Sequence, residues 1–318
     1  MNDDTDGAAT ATAASHNAPI VSLLPAATEI LAALGVWGRV AGVTHACDVP
    51  DAALRLPHVT ASRIDAAHDA LDIDRQVHIA AGSGQALFTL DEAMLRALHP
   101  ALIVTQGLGE VCAIDEREMH RIASTLTPPA QVHTIAARTL EGVLASIEGL
   151  ALVVGAEDEG RELVAGLRAR MRRVHETLKA AGAPRPRVAV IEWTDPVYAA
   201  GHWVPDMVRR AGGVDALATA GEHSRPCPAP SVRDAAPDVI VFAPCGFALE
   251  RADKEARATL ARDEWAWARS KRVVVMDGNA FTSRPGPRLV EGIEIMARLF
   301  NPGCFTPLDL ARGAILVP

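Results

Sequence analysis

Basic runs, paired cysteines, long apolar stretches and the common catalytic signatures are all missing from this 318-residue chain. Its 31 Lys and Arg are scattered and outnumbered by 39 Asp and Glu, for a formal net charge of −8. Nucleic-acid binding rests on clustered cations, so a nucleic-acid partner is disfavoured. The five cysteines (Cys47, Cys112, Cys227, Cys245 and Cys304) are odd in number and form no CxxC pair. Neither a disulfide framework nor a zinc ribbon is implied, and reduced thiols in the cytoplasm fit best. No apolar run approaches the roughly 18 to 20 residues that cross a bilayer, because Glu141 and Glu148 break the longest candidate. Met1 to Pro19 is acidic and Ala/Thr-rich, whereas a secretory signal needs a basic start and an apolar core. The expectation is a disordered tail on a cytoplasmic protein, or a periplasmic one whose leader has been removed. GxGxxG, GxxxxGK[ST], HExxH and GxSxG are absent, which excludes the standard dinucleotide, P-loop, zincin and hydrolase motifs. Gly82-Ser83-Gly84 and Gly107-Leu108-Gly109 are too short to count and read as loop turns.

What the sequence does contain is an alternation of short buried strands with helical periodicity. β-branched or apolar runs at Ile20 to Leu24, Val40 to Thr44, Ala101 to Thr105 and Val132 to Ala136 form one series. Val188 to Trp193, Val239 to Ala243 and Val273 to Asp277 form a second. Such alternation predicts parallel βα units and an α/β fold of two Rossmann-like lobes, each with its own core and central parallel sheet. Between the series, Leu163, Leu167, Met171, Val174 and Leu178 follow one helical stripe within Glu157 to Ala181. Such a helix would span roughly 37 Å and bridge both lobes, the plain alternative being a surface helix of one lobe. The expected division is a tail at 1–18, a first lobe at 19–155, the bridging helix at 156–183 and a second lobe at 184–318.

Both lobes open alike, with a buried strand, a loop and a short helix closed by glycine, near Gly35 and at Gly212-Gly213. Loops at the carboxyl ends of parallel strands are where such folds bind ligands, so a cleft between the lobes is expected. The loops are rich in polar, soft and aromatic groups. Trp193, Trp203 and Phe247 are candidate flat walls for a large planar ligand, or core residues closing the sheet. His45, Cys47, Glu110, Cys112, His202 and Cys245 are of types that ligate borderline or soft metals, and an imidazole also serves as axial ligand to a tetrapyrrole metal. Isolated cysteines are more often simply buried. Glu192 ends an apolar strand, where an unpaired carboxylate is costly, so it faces the cleft or pairs with a cation. Arg284 offers a cation to the same cleft or forms a salt bridge.

These loops also carry a resemblance. Ile20 to Gly35, Val43 to Asp48, Glu110 to Ala113, Glu192-Trp193, Gly201 to Pro205, Pro244 to Phe247, Asp277 to Ala280 and Ser283 to Arg288 resemble vitamin B12-binding proteins of the helical-backbone (class III) substrate-binding superfamily, in a leaderless branch. The likeness runs from about Ala18 to Pro302. It implies two lobes on one long helix, a cobalamin or related corrinoid in the cleft, little hinge motion, and delivery to an ABC permease. The chain departs from its relatives in lacking an export signal, and in Gly107 and Gly109 standing where an acidic residue and a cysteine are usual. Three functions follow as expectations. The leading one is corrinoid binding without chemistry, for a permease or a cytoplasmic enzyme, with His45, Glu110, Glu192, His202 and Arg284 as polar contacts. The others are a transition-metal or metal-chelate site, and an enzyme acting on a tetrapyrrole with Glu192 and His202 as acid and base.

Overall fold

A computed structural model of the chain describes residues 18–107, 116–305 and 313–317. Glu110, Cys112 and Gly109 lie outside the described residues. Two sheets organise the rest. The first joins β1 (Ile20–Ser22), β2 (Val40–Gly42), β5 (Leu102–Gln106) and β6 (Gln131–Ile135) in the order β2-β1-β5-β6, all parallel. Between β2 and β5 in the chain, β3 (Thr60–Ser62) and β4 (Phe88–Leu90) pair antiparallel as a separate ribbon.

The second sheet is built on three parallel strands, β7 (Arg187–Thr194), β11 (Val239–Phe242) and β12 (Arg272–Met276). It is extended by β8 (Val197–Ala199), β9 (Val214–Asp215), β10 (Arg225–Pro226) and β13 (Ala314–Val317), of which β8, β10 and β13 run antiparallel to their neighbours. The loop expected between the second lobe's opening strand and its short helix thus begins as a hairpin, whose return strand β8 passes back along β7. Its polar turn Asp195-Pro196 hides the pairing from a period count.

The helix Glu157–Ala180 lies between the sheets in sequence and packs against both halves: Leu140–Val154 before it, Val204–Arg210 and Leu289–Phe300 after it. Val164, Leu167, Met171, Val174 and Leu178 are its buried face, the expected stripe with Val164 taking the place of the partly exposed Leu163. Acidic Glu157, Asp158 and Glu159 open it and Lys179 closes it, each sign matching the helix dipole. Arg170 clasps Glu294 of the second half through paired hydrogen bonds of 2.9 and 2.7 Å.

Two self-contained cores were expected, but the largest apolar cluster is continuous. It runs from Ile20 and Leu102 through Leu167 and Met171 to Val190, Val241 and Met296. Each outer sheet face then has a smaller cluster of its own. A shared core leaves little to slide or hinge, since packed interiors resist continuous deformation.

A second departure concerns Ile64 to Gly82, which belong to the first half by sequence. The helix Ala70–Gly82 packs on β7, and Ile73 is buried in the apolar cluster of the second sheet. Arg251 of the second half donates to the carbonyls of Ala66 and His68. The segment is a strap laid from one half onto the other.

Candidate functional site

The carboxyl ends of β1, β2, β5, β7, β11 and β12 converge on one cleft, which holds two adjoining cavities. A cavity of about 200 Å³ is lined by His45, Thr60, Phe88, Asn279 and Arg284 among others. A second of about 460 Å³ is lined by Glu192, Tyr198, His202, Trp203 and His223 among others. Gln106, Cys245 and Ser283 line both and form the boundary between them.

Below the smaller cavity lies a buried ionic joint. Arg284, 7% exposed, donates to Glu29 Oε1 at 2.9 Å, to Asp48 at 2.5 and 3.1 Å, and to Asn279 Oδ1 at 2.9 Å. Arg288 donates to the other oxygen of Glu29 at 3.1 Å. Burial alone would raise Asp48; the hydrogen bond and charge of Arg284 outweigh it and hold the carboxyl below its ordinary range. The expected ligand cation is therefore spent on joining the helix Pro25–Ala33 and the 46–48 loop to the 279–288 segment. Gly278 has no room for a side chain, because a Cβ would fall 2.1 Å from the carbonyl oxygen of Pro244.

His45 stands beside this joint. Its Nδ1 is 2.8 Å from the Thr60 hydroxyl and its ring is 5.3 Å from that of Phe88. Burial, then the nearby His58, lowers its pKa, which keeps the ring neutral near pH 7. Cys47 sits beneath the same loop, 1% exposed, with its Sγ 3.1 Å from Thr28 Oγ1 and 3.3 Å from Thr44 Oγ1. That places it in the core rather than on the cleft wall.

The larger cavity is built on a close backbone crossing. Gly201 abuts the 222–224 turn so tightly that a Cβ would meet Ser224 N at 2.4 Å. His202 N donates to Glu222 O at 2.6 Å and Gly221 N returns a bond to His202 O at 2.9 Å. His202 adopts a left-handed backbone, φ 54°, which costs a non-glycine residue strain and here turns its ring into the cavity. His223 meets it edge to face at 5.2 Å. Burial, followed by the charges of His223 and Arg138, lowers the His202 pKa. Glu192 borders the same space and accepts from Ser224 and from Gly201 N–H, yet burial dominates and pushes it up to about 7.

The three aromatic candidates divide. Trp203 lines the larger cavity, with its indole donating to Thr282 O at 2.7 Å. Trp193 and Phe247 line neither cavity: their rings pack at 5.1 Å, the Trp193 indole donates to Ala70 O at 3.2 Å, and the Arg251 guanidinium lies 3.8 Å over Phe247. They hold the strap. The described members of the candidate metal set are not gathered either. His45 and His202 lie in different cavities, Cys245 is exposed at the boundary and Cys47 is in the core. Among the described residues no three His, Cys, Asp or Glu side chains converge on a metal-sized point. His223, Ser224, Tyr198, Thr60 and Phe88 were not legible as site residues. They lie on the return hairpin, a distant turn and the ribbon, and only folding brings them to the cleft.

A family model described as "periplasmic binding protein" matches residues 20–280. Among solved structures, the chain is similar to the periplasmic heme-binding protein BhuT in complex with two hemes (24% identity, TM-score 0.67, 91% of this chain and 99% of that one). It is similar to a periplasmic heme-binding protein from Pseudomonas aeruginosa (20%, TM-score 0.69, 92% and 95%). It is also similar to the periplasmic vitamin B12-binding protein BtuF of Vibrio cholerae (20%, TM-score 0.62, 89% and 96%). These likenesses are of fold. No curated protein matches the sequence.

Proposed function

Since this chain belongs to the periplasmic binding protein family, we propose that it binds a corrinoid-like tetrapyrrole between its two halves and passes it on unaltered. The recipient is an ABC permease or a partner enzyme. No described helix is long and apolar enough to cross a membrane.

The observation that carries this reading is the electrical neutrality of the cleft lining. Among the described residues, Arg284 is the one Lys or Arg lining either cavity, and it is spent on Glu29 and Asp48. Glu192, the one lining carboxylate among the described residues, is shifted toward its neutral form. What remains are hydroxyls, amides, imidazoles and apolar walls. Such a lining suits a macrocycle edged with neutral amides, as corrinoids are, because each amide finds a partner and no buried charge is left unpaired. His45 and His202, both kept neutral, are the candidate axial ligands to the central metal.

One observation favours a second reading, a heme with its two carboxylates. Arg138 is exposed and close enough to His202 to lower its pKa, so it could take a propionate at the rim while His202 meets the iron. Spectral titration with cobinamide, cobalamin and hemin separates the two, together with Arg138→Ala, which should weaken hemin alone. Glu192 and His202 do share a cavity, as an acid–base pair would. Mass analysis of ligand recovered after incubation with the protein tests for turnover.

A further inference from the structure

We propose that the second half carries, at the end remote from the cleft, a binding site for a phosphate-bearing small molecule. β7 runs from this end of the second half to the cleft. Its last residues reach Glu192 at the cleft, while Ala183, Pro184 and Arg185, which lead into its first residue, line a separate cavity of about 410 Å³. The remaining walls come from the last turn of the helix Glu157–Ala180 and the end of Val204–Arg210.

Lys179, Arg185, Arg209 and Arg210 all line this cavity, beside the imidazole of His175, and no Asp or Glu does. That is a concentration of one sign in a chain whose net charge is −8. The cations are not used up by the fold. Arg209 is paired with Asp206 at 2.5 Å, and Arg185 donates to the Gly213 carbonyl at 3.2 Å. The side chains of Lys179 and Arg210 are exposed and make no hydrogen bond or ion pair among the described residues.

A plain role for cations here is to complement the negative ends of the two helices. That explains Lys179 and Arg210 one at a time. It does not explain their convergence with Arg185 around a single hollow, where like charges repel until an anion neutralises them. The volume is in the range of small-molecule sites and too large for a lone inorganic ion. Leu178 and Pro184 provide an apolar wall beside the cations. A ligand carrying two or three phosphates on an organic body matches that combination, since phosphate draws multiple Arg and Lys donors.

The test is calorimetric titration of the full chain with ATP and with inorganic pyrophosphate, at low and high salt, alongside a Lys179→Glu/Arg210→Glu double variant. Both positions are exposed, so folding should survive, and an unchanged cobinamide titration reports on the distant cleft. Saturable binding of one ATP per chain, weakened by salt and reduced about tenfold or more in the variant, supports the site. Retention of the unaltered chain, but not the variant, on phosphatidylglycerol vesicles would identify a lipid as the source of the phosphate. Absence of saturable heat with both probes at low salt, or equal affinity in the double variant, overturns the proposal.

Discussion

Arg284 donates to Glu29 at 2.9 Å across the boundary between the two sheets, joining side chains 255 positions apart in the chain, exposed by only 8% and 4%. Around this bond, Asp48, Asn279 and Arg288 complete a joint that fixes the floor of the cleft. Removing one partner of such a pair leaves an uncompensated buried charge. Arg284→Ala should therefore destabilise the protein by about 3 to 5 kcal/mol in denaturant unfolding. Glu29→Gln combined with Arg284→Met should cost distinctly less than the sum of the single changes. Additive costs would mean that the two residues are not coupled.

Glu192 gives a pH signature. Its carboxyl is pushed from 4.5 to about 7 in the folded chain, so the folded state holds a proton that the unfolded state has released between those values. Its contribution is intact below about pH 4.5 and lost as pH rises through about 7. Glu192→Gln should remove that loss and gain up to about 3 kcal/mol on the natural chain between pH 5 and pH 8. Parallel pH series of urea unfolding check it; identical slopes would contradict it.

His202 should act as a neutral ligand. Burial first, then His223 and Arg138, hold its pKa below the ordinary 6.5. The spectral change on binding a metal-centred tetrapyrrole should accordingly persist to somewhat below pH 6.5 and fade on further acidification. His202→Ala should weaken binding about tenfold or more and alter the bound spectrum. If His45→Ala alone does both, the axial contact lies in the smaller cavity.

The strap should govern access. Arg251, Trp193 and Phe247 secure Ala66 to Ala70 on the second half, and Ile73 is buried there. Arg251→Ala should raise both the association and the dissociation rate of the cleft ligand while changing affinity little, as stopped-flow traces would show. Hydrogen exchange over residues 63–83 should be faster than in β11 and slow down when ligand binds.

How far these features were legible follows from how each is encoded. The parallel strands were legible because β5, β7, β11 and β12 are short apolar runs between helical stretches, and the long helix because its stripe repeats without interruption from Leu167 to Leu178. β8 and β13 were not: one follows a polar turn directly, and the other has no partner nearby in sequence. Among the candidates, His45, His202 and Trp203 were legible as cleft-facing from their place in loops at strand ends, and Glu192 because a carboxylate ending an apolar strand is costly unless it faces the cleft or a cation; all four line the two cavities. Arg284 was legible as a cation offered to the cleft or held in a salt bridge, but its acceptors Glu29, in the helix Pro25–Ala33, and Asp48 lie far away in the chain, and no spacing reports that they would meet it. Trp193 and Phe247 were read as ligand walls because their loop position matches that role; the strap that covers them is visible only in three dimensions. Likewise the cations around Lys179 and Arg210 form no run in the sequence, and only the fold brings them together.

The neutral cleft is tested most directly by spectral titration of the purified protein with cobinamide and hemin in parallel. A saturable shift at one cobinamide per chain is expected, with tighter binding than hemin and no dependence on Arg138. Saturation by hemin with flat traces for both cobinamide and cobalamin would contradict it.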